Sequence, residues 1–159
     1  MSNIGNSFQI RWAEAGDWTS AMNMIWKTFL KFEGNVYSPE GIRNFLDFIT
    51  DEDLFHSFLA GRYLLMIALD GGNIIGAASV RDRNHLSLLF VDEKYHMQGI
   101  GRSLMETFCL FLKNEVGEQC MTLKSSPYAV GFYKKLGFWE TGPEECYAGI
   151  QVTPMKKML

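Results

Sequence analysis

The residues best suited to chemistry lie in a loop with two glycines, Gly99 and Gly101. The loop follows an apolar run, residues 86–91, which is typical of a β-strand. After it, apolar side chains recur at helical spacing at Leu104, Met105, Phe108, Phe111 and Leu112. The first N–H groups of a helix have no internal partner and lie at the positive end of its dipole. Because glycine also lets a ligand approach the backbone, this order of strand, loop and helix predicts an anion site.

The loop does not match the two commoner phosphate-binding patterns. Its Gly-x-Gly lacks a third glycine, because Leu104 occupies that place, and no Gly-Lys-Ser/Thr follows. A dinucleotide-binding or P-loop interpretation is therefore weak. Taken alone, residues 99–101 are equally compatible with a plain turn between a strand and a helix.

A second segment, residues 126–138, decides between these interpretations. It reads Ser-Pro-Tyr-Ala-Val-Gly-Phe-Tyr-Lys-Lys-Leu-Gly-Phe and follows another apolar run, residues 120–123. Residues 96–101 (His-Met-Gln-Gly-Ile-Gly) and this segment resemble motifs A and B of the GNAT superfamily of acetyl-CoA-dependent N-acetyltransferases. Motif A is Arg/Gln-x-x-Gly-x-Gly/Ala after a strand, and motif B is Asn-x-x-Ala-x-x-aromatic-Tyr-x-x-x-Gly-Phe. The two motifs occur in the expected order, separated by one helix and one strand.

This resemblance implies an α/β fold of the α+β type, as a single domain over residues 1–159. The sheet is expected to be mixed and splayed, with about six to seven strands and helices on both faces. Acetyl-CoA is expected as cosubstrate, with no metal, in the cleft between the motif A and motif B strands. The residues implied to bind it are Leu89, Phe90, Val91, Met97, Gln98, Gly99, Ile100, Gly101, Arg102 and Ser126.

The implied activity is acetyl transfer to a primary amine of a small molecule or peptide. Direct attack in a ternary complex is favoured, because no obvious nucleophilic cysteine accompanies the motifs. Two residues depart from the family pattern: His96 replaces arginine or glutamine, and Ser126 replaces asparagine. Backbone N–H groups provide most of the pyrophosphate binding, so the site is expected to survive both changes. The same changes motivate an alternative, a non-catalytic acyl-CoA-binding sensor or interaction module.

Tyr133 is the candidate general acid. In many family members the tyrosine at this motif position faces the sulfur of CoA and protonates the departing thiolate. A phenol with a pKa of about 10 can serve a thiolate whose parent thiol has a pKa of about 8.5, provided that geometry brings them within reach. The alternative is an ordinary core tyrosine with its hydroxyl at the surface.

His85 is the candidate general base. In the histone-acetylating branch of the family, a glutamate stands at the same distance before the motif A loop. A neutral imidazole, with a pKa of about 6.5, can take a proton from an ammonium directly or through water. The alternatives are Ser87, Glu33 and an ordered water, or a surface role for His85. Met121 stands where other members carry a glutamate on the motif B strand.

The acceptor site is expected between the first two helices, the loop that connects them and the last two strands. Phe29, Glu33 and Tyr37 are the predicted substrate-binding residues. An aromatic pocket with one carboxylate suits a small amine or a peptide amino group. The alternative is that most aromatic residues of these helices belong to the core.

The composition of the chain restricts its partners. Hydrophobic residues make up 47% of its 159 residues and the net charge is −3, with no lysine or arginine cluster, which argues against nucleic acid. The cysteines at positions 109, 120 and 146 are odd in number and widely spaced, which predicts reduced core residues of a cytoplasmic protein rather than a metal or disulfide set. Met1–Gln9 is polar, and no apolar run reaches membrane-spanning length. A homodimer is compatible with the sequence.

The patterning along the chain predicts the elements that must position these residues. Asp17 and Ser38 are expected to cap the first two helices, the second with Pro39 in its first turn. A third helix, over residues 51–60, is expected to stop at Gly61. The other predicted elements are strands 8–12, 63–69, 73–80, 85–91, 120–125, 138–141 and 146–152, and a helix over 127–136.

Overall fold

The computed structural model describes residues 8–159, so residues 1–7 of the polar N-terminal stretch lie outside the described part. The strands are β1 (Gln9–Trp12), β2 (Leu64–Asp70), β3 (Asn73–Arg81), β4 (His85–Val91), β5 (Cys120–Ser125), β6 (Trp139–Glu140), β7 (Glu145–Tyr147) and β8 (Ile150–Met158). The α-helices are α1 (Trp18–Glu33), α2 (Pro39–Ile49), α3 (Glu52–Leu59), α4 (Ile100–Phe111) and α5 (Val130–Lys135). A π-helical turn, Leu112–Val116, extends α4.

The strands form one mixed sheet in the order β1-β2-β3-β4-β5-β8-β6, with β7 paired to β8. Neighbouring strands are antiparallel except for β4 and β5, which are parallel. One apolar core joins the sheet to α4 and α5, and a second joins its other face to α1 and the end of α2. Helices therefore cover both faces, as predicted.

The sheet opens between β4 and β5. These strands pair only at His85 with Thr122 and at Leu86 with Leu123. Further along, residues 88–91 of β4 pair with β3 on one side, while no β5 residue is in register with them on the other. A parallel pair that parts in this way leaves strand-edge N–H and C=O groups facing a cleft, and such groups require partners. The splayed sheet predicted from the sequence is confirmed.

Of the two residues predicted to cap helices, one makes a capping hydrogen bond and the other does not. Ser38 caps α2, because its Oγ accepts a hydrogen bond from the Gly41 N–H at 3.0 Å. Asp17 stands at the N-cap position of α1 but makes no capping bond to that helix. Its carboxylate instead accepts hydrogen bonds from Arg11 at 2.8 Å and from the Glu14 N–H at 2.7 Å. The prediction of a capping bond at Asp17 is wrong, since the ion pair occupies that carboxylate.

The end of the chain folds differently from the prediction. The single strand expected over residues 146–152 is broken at Ala148 (φ 54°) and Gly149 (φ 79°), where the chain reverses between β7 and β8. β8 then continues through Pro154 to Met158, although a proline normally marks the edge or end of a strand. The sheet consequently has eight strands rather than six to seven. Cys146 on β7 is exposed, so its prediction as a core residue is wrong, while Cys109 and Cys120 are half-buried.

Candidate active site

The loop before α4 is shaped to receive a ligand at its backbone. Gly99 adopts φ 81°, and a Cβ at this position would meet no atom within 4 Å, so the space beside it is open. Met97 also has a positive φ, 66°, and its side chain is wholly exposed. The Ser103 N–H donates to the Gly99 carbonyl at 2.9 Å, which starts the helix and leaves the preceding N–H groups of the first turn for a ligand. This geometry is compatible with an anion site at the loop, which stays a prediction.

Gly101 serves packing rather than conformational freedom. A Cβ there would lie 3.3 Å from the Phe132 ring and 3.7 Å from a Val91 methyl group. This glycine lets α5 approach the first turn of α4, so the two motifs meet directly at this point. The requirement for a small residue comes from the neighbouring helix, and the sequence alone did not indicate it.

His96 is part of the structure of the loop. Its Nε2 lies 2.6 Å from the Val91 carbonyl oxygen, at the end of β4. Its ring stacks on Phe32 of α1, with the ring centres 4.8 Å apart, and Phe32 also contacts Tyr128, at 5.9 Å. These three rings connect α1 with the loops that follow β4 and β5. His96 thus contacts the carbonyl of Val91, which is one of the residues predicted to bind the cofactor.

Glu33, the last residue of α1, is a buried carboxylate with only 9% of its surface exposed. The Tyr37 hydroxyl donates a hydrogen bond to its Oε1 at 3.5 Å, and the Ser126 hydroxyl lies close enough to the carboxylate to lower its pKa. Burial raises the pKa of Glu33, and these two hydroxyls partly oppose the shift because they stabilise the charged form. A carboxylate in this setting is a stronger base than an exposed one.

Tyr133 belongs to the same cluster. It lies on α5 with 7% of its surface exposed. Burial, followed by the negative charge of Glu33, raises the pKa of its phenol well above the usual value. The hydroxyl therefore stays protonated at physiological pH. The structure brings Glu33 and Tyr37, at and just after the end of α1, close to Ser126 and Tyr133 of the motif B segment.

Phe29 packs against the Tyr37 side of this cluster. Its side chain is buried, stacks on Phe45 with ring centres 4.0 Å apart, and packs against Tyr37 at 5.3 Å. With 1% of its surface exposed, it presents no face for direct contact with an acceptor in this structure. Its predicted part in substrate binding is then indirect, through the position of the Tyr37 ring.

His85 lies where β4 and β5 are still paired, and Ser87 lies just beyond this pairing. Each has its own hydrogen-bond partner. The His85 Nδ1 is 2.8 Å from Thr122 Oγ1 on β5. Burial, followed by the positive charges of Arg81 and Lys124, lowers the pKa of His85 to about 4. Ser87 accepts a hydrogen bond from the buried Tyr63 hydroxyl at 2.9 Å. A histidine with this pKa is a weak base at neutral pH, and the role predicted for it stays untested.

Two features are absent from residues 8–159. None of the helices there is both long and apolar enough to cross a membrane. Within the same residues, histidine, cysteine, aspartate and glutamate side chains form no group of three or more suited to a metal ion.

Sequence comparison relates most of the chain to known acetyltransferases. Residues 33–159 match the family model described as "Acetyltransferase (GNAT) domain". The peptidyl-lysine N-acetyltransferase YjaB of Salmonella typhimurium is 35% identical over 97 residues, which cover 59% of this chain. The same match spans 62% of that relative's length.

Solved structures share the fold over nearly the whole chain. A GCN5-related N-acetyltransferase from Rhodopseudomonas palustris superposes with a TM-score of 0.81 at 23% identity and covers 95% of both chains. The PaiA N-acetyltransferase of Thermoplasma acidophilum, solved in complex with coenzyme A, gives 0.78 at 19% identity and covers 96% of this chain and 99% of its own. At these identities the likeness shows the fold alone. From the family-model match and the arrangement of the two motifs, the chain belongs to the acetyltransferase (GNAT) domain family.

Proposed function

We propose that the protein transfers the acetyl group of acetyl-CoA to a primary amine by direct attack in a ternary complex. The observation that carries this proposal is the buried Glu33 carboxylate, which accepts a hydrogen bond from Tyr37 and whose charge acts on the buried Tyr133 of motif B. A candidate base and a candidate acid are thereby held together with motif B. Family membership supports acetyl-CoA as the donor.

The cleft and the glycine loop are proposed to hold acetyl-CoA. The open left-handed position at Gly99 and the N–H groups of residues 97–102 suit the pyrophosphate. The unpaired edge of β4 at Leu89 and Phe90 suits the amide groups of the pantetheine arm, because these need hydrogen-bonding partners when they are buried. The fit thus rests on features of this chain and not only on the motifs.

Glu33 is proposed as the general base in place of His85. Its carboxylate attracts the protonated amine and takes one proton from it, so that the free nitrogen attacks the thioester carbonyl carbon. The carbon–sulfur bond then breaks, and the Tyr133 hydroxyl gives its proton to the departing sulfur. The nitrogen loses its second proton as the amide forms, and this proton restores the phenol, directly or through solvent, while Glu33 returns its proton to solvent. Protonation of Glu33 also removes the negative charge that raises the pKa of Tyr133. The first proton transfer therefore favours the second.

The proposed acceptor is a lysine side chain of a peptide or protein. One buried carboxylate, with the aromatic ring of Tyr37 beside it, matches a single ammonium group at the end of an apolar stem. The relative from Salmonella typhimurium is a peptidyl-lysine N-acetyltransferase, which supports a lysine side chain as the acceptor. A single domain over residues 1–159, a cytoplasmic location, the absence of a nucleic-acid partner and a homodimer stay predictions from the sequence.

Thiol release from acetyl-CoA across a panel of amines tests this function. We expect release well above hydrolysis with lysine-containing peptides, and less with the same peptides after their lysines are dimethylated. Tight binding of CoA without transfer to any amine would instead favour the non-catalytic sensor. An acetyl group on Cys109, Cys120 or Cys146 that turned over would contradict direct attack.

Gly99→Val is expected to act on cofactor binding. Valine at φ 81° costs about 1–2 kcal/mol of backbone strain and fills the space where the ligand must approach, so acetyl-CoA should bind about tenfold or more weakly. Calorimetric titration with CoA measures this change. Gly61→Val is the matched control, because Gly61 also has a positive φ, 79°, in open space, but lies in the turn after α3. Equal CoA affinity in both variants would exclude the loop as the anion site.

A further inference from the structure

The turn between β7 and β8 is fastened to the first two turns of α2. The Ser38 hydroxyl donates to the Gly149 carbonyl at 3.1 Å, and the Asn44 amide donates to the Ala148 carbonyl at 2.8 Å. A Cβ on Gly41 would lie 2.5 Å from the Gly149 carbonyl oxygen, so the helix and the turn are in backbone contact. Residues far apart in sequence thus form one rigid junction.

This junction is one residue away from the proposed acceptor site. Tyr37 directly precedes Ser38, and the N–H groups of Val36 and Tyr37 both donate to the Glu33 carbonyl at 3.1 Å. The short connection between α1 and α2 is therefore held at both ends. Any movement of the first turn of α2 changes where the Tyr37 ring lies relative to the Glu33 carboxylate.

The turn is also tied to the cofactor side of the sheet. Glu145 on β7 pairs with Lys124 of β5 at 3.3 Å, and the Lys124 ammonium lies 4.3 Å from the centre of the Tyr147 ring. β7 thus contacts β5, which borders the cleft, and the turn after β7 contacts α2. A continuous set of contacts therefore joins the cleft proposed for acetyl-CoA to the proposed acceptor site.

We propose that the β7–β8 turn is a positioning element for the acceptor site. Asn44, Ser38 and Gly41 act as positioning residues that hold α2, and through it Tyr37, against Glu33. The inference rests on the proposed function, since it assigns the acceptor to the Glu33 cluster. None of these three residues is assigned a contact with the reacting atoms.

Asn44→Asp is the sharpest test, because it keeps the size of the side chain and replaces the amide donor with an oxygen that cannot donate to Ala148. At saturating acetyl-CoA, the acceptor KM should rise about threefold to tenfold, the effect of losing one hydrogen bond. CoA affinity should stay within about twofold, since the glycine loop is untouched. Asp47→Ala, an exposed change on the same helix, is the control and should alter neither quantity.

Amide hydrogen exchange gives a readout that does not depend on activity. Exchange of residues 34–38 should be faster in Asn44→Asp than in the wild type, and unchanged in Asp47→Ala. Gly41→Ala should produce the same pattern more strongly, because its Cβ separates the helix from the turn. An unchanged acceptor KM, an equal loss of CoA affinity, or unchanged exchange at residues 34–38 would overturn the proposal. Should the wild type acetylate no amine, the proposed function fails, while the exchange comparison still decides whether the turn positions this segment.

Discussion

Glu33→Gln is expected to lower turnover by about 10²–10⁴-fold, the usual range for loss of a general base. Glutamine keeps the size and the hydrogen-bonding reach of the side chain but can take no proton from the amine. CoA affinity should stay close to that of the wild type, because Glu33 is not one of the loop residues proposed to hold the pyrophosphate. Steady-state thiol release and CoA titration measure the two effects.

The pH profile separates Glu33 from His85 as the base. Burial raises the pKa of Glu33, so activity should fall as the pH drops through that raised value, and this acid limb should disappear in Glu33→Gln. If His85 were the base, the fall in activity at low pH would lie near the pKa of His85, about 4. His85→Gln is the control variant and should retain turnover. Loss of turnover in His85→Gln, together with an unchanged rate in Glu33→Gln, would reverse the assignment.

Glu33→Gln should also stabilise the fold at neutral pH. The folded-state pKa of Glu33 is raised above its ordinary 4.5, so the protonated form is favoured by folding and ionisation opposes it. This contribution to stability is present below the unfolded pKa and is lost as the pH rises through the folded pKa. Glu33→Gln should therefore have a higher Tm than the wild type at pH 8, with a smaller difference at pH 4. Lower stability at pH 8 would show that the carboxylate is needed for folding.

Tyr133→Phe is expected to reduce turnover by about 10²–10⁴-fold while CoA binding is nearly unchanged. The substitution removes the hydroxyl and keeps the ring, whose edge contacts with Phe132 and Phe138 lie at 5.3 and 5.6 Å between ring centres. The packing of α5 should hold. The loss is expected in kcat, since the proton is needed only when the thiolate departs.

Phe132→Leu is a control for disturbance of α5, because Phe132 is partly exposed beside Tyr133 and has no assigned part in proton transfer. It should lower turnover far less than Tyr133→Phe. If Tyr133→Phe turned over normally across the pH range, solvent rather than Tyr133 would protonate the thiolate.

The sequence alone indicated the family and the elements up to the last strands. The strand, glycine loop and helix at residues 86–112, the Ser38 cap and the helix stop at Gly61 all follow from neighbours a few residues apart. Periodicity, capping and turn preferences are local properties, and for that reason a single sequence predicts them. Asp17 shows the limit, because a cap residue can form an ion pair with another element instead.

Only the tertiary structure shows which candidate residues lie close together and in what surroundings. Glu33 and Ser126 are far apart in sequence, and nothing in either segment indicates that folding brings them close together. The same holds for the reversal at Ala148–Gly149, which places the last strands against α2. A pKa depends on burial and on charges brought close by folding, so the shifts at Glu33 and His85 have no signature in local sequence. The sequence could name the candidate bases, and their surroundings in the folded chain motivate the proposal of Glu33 over His85.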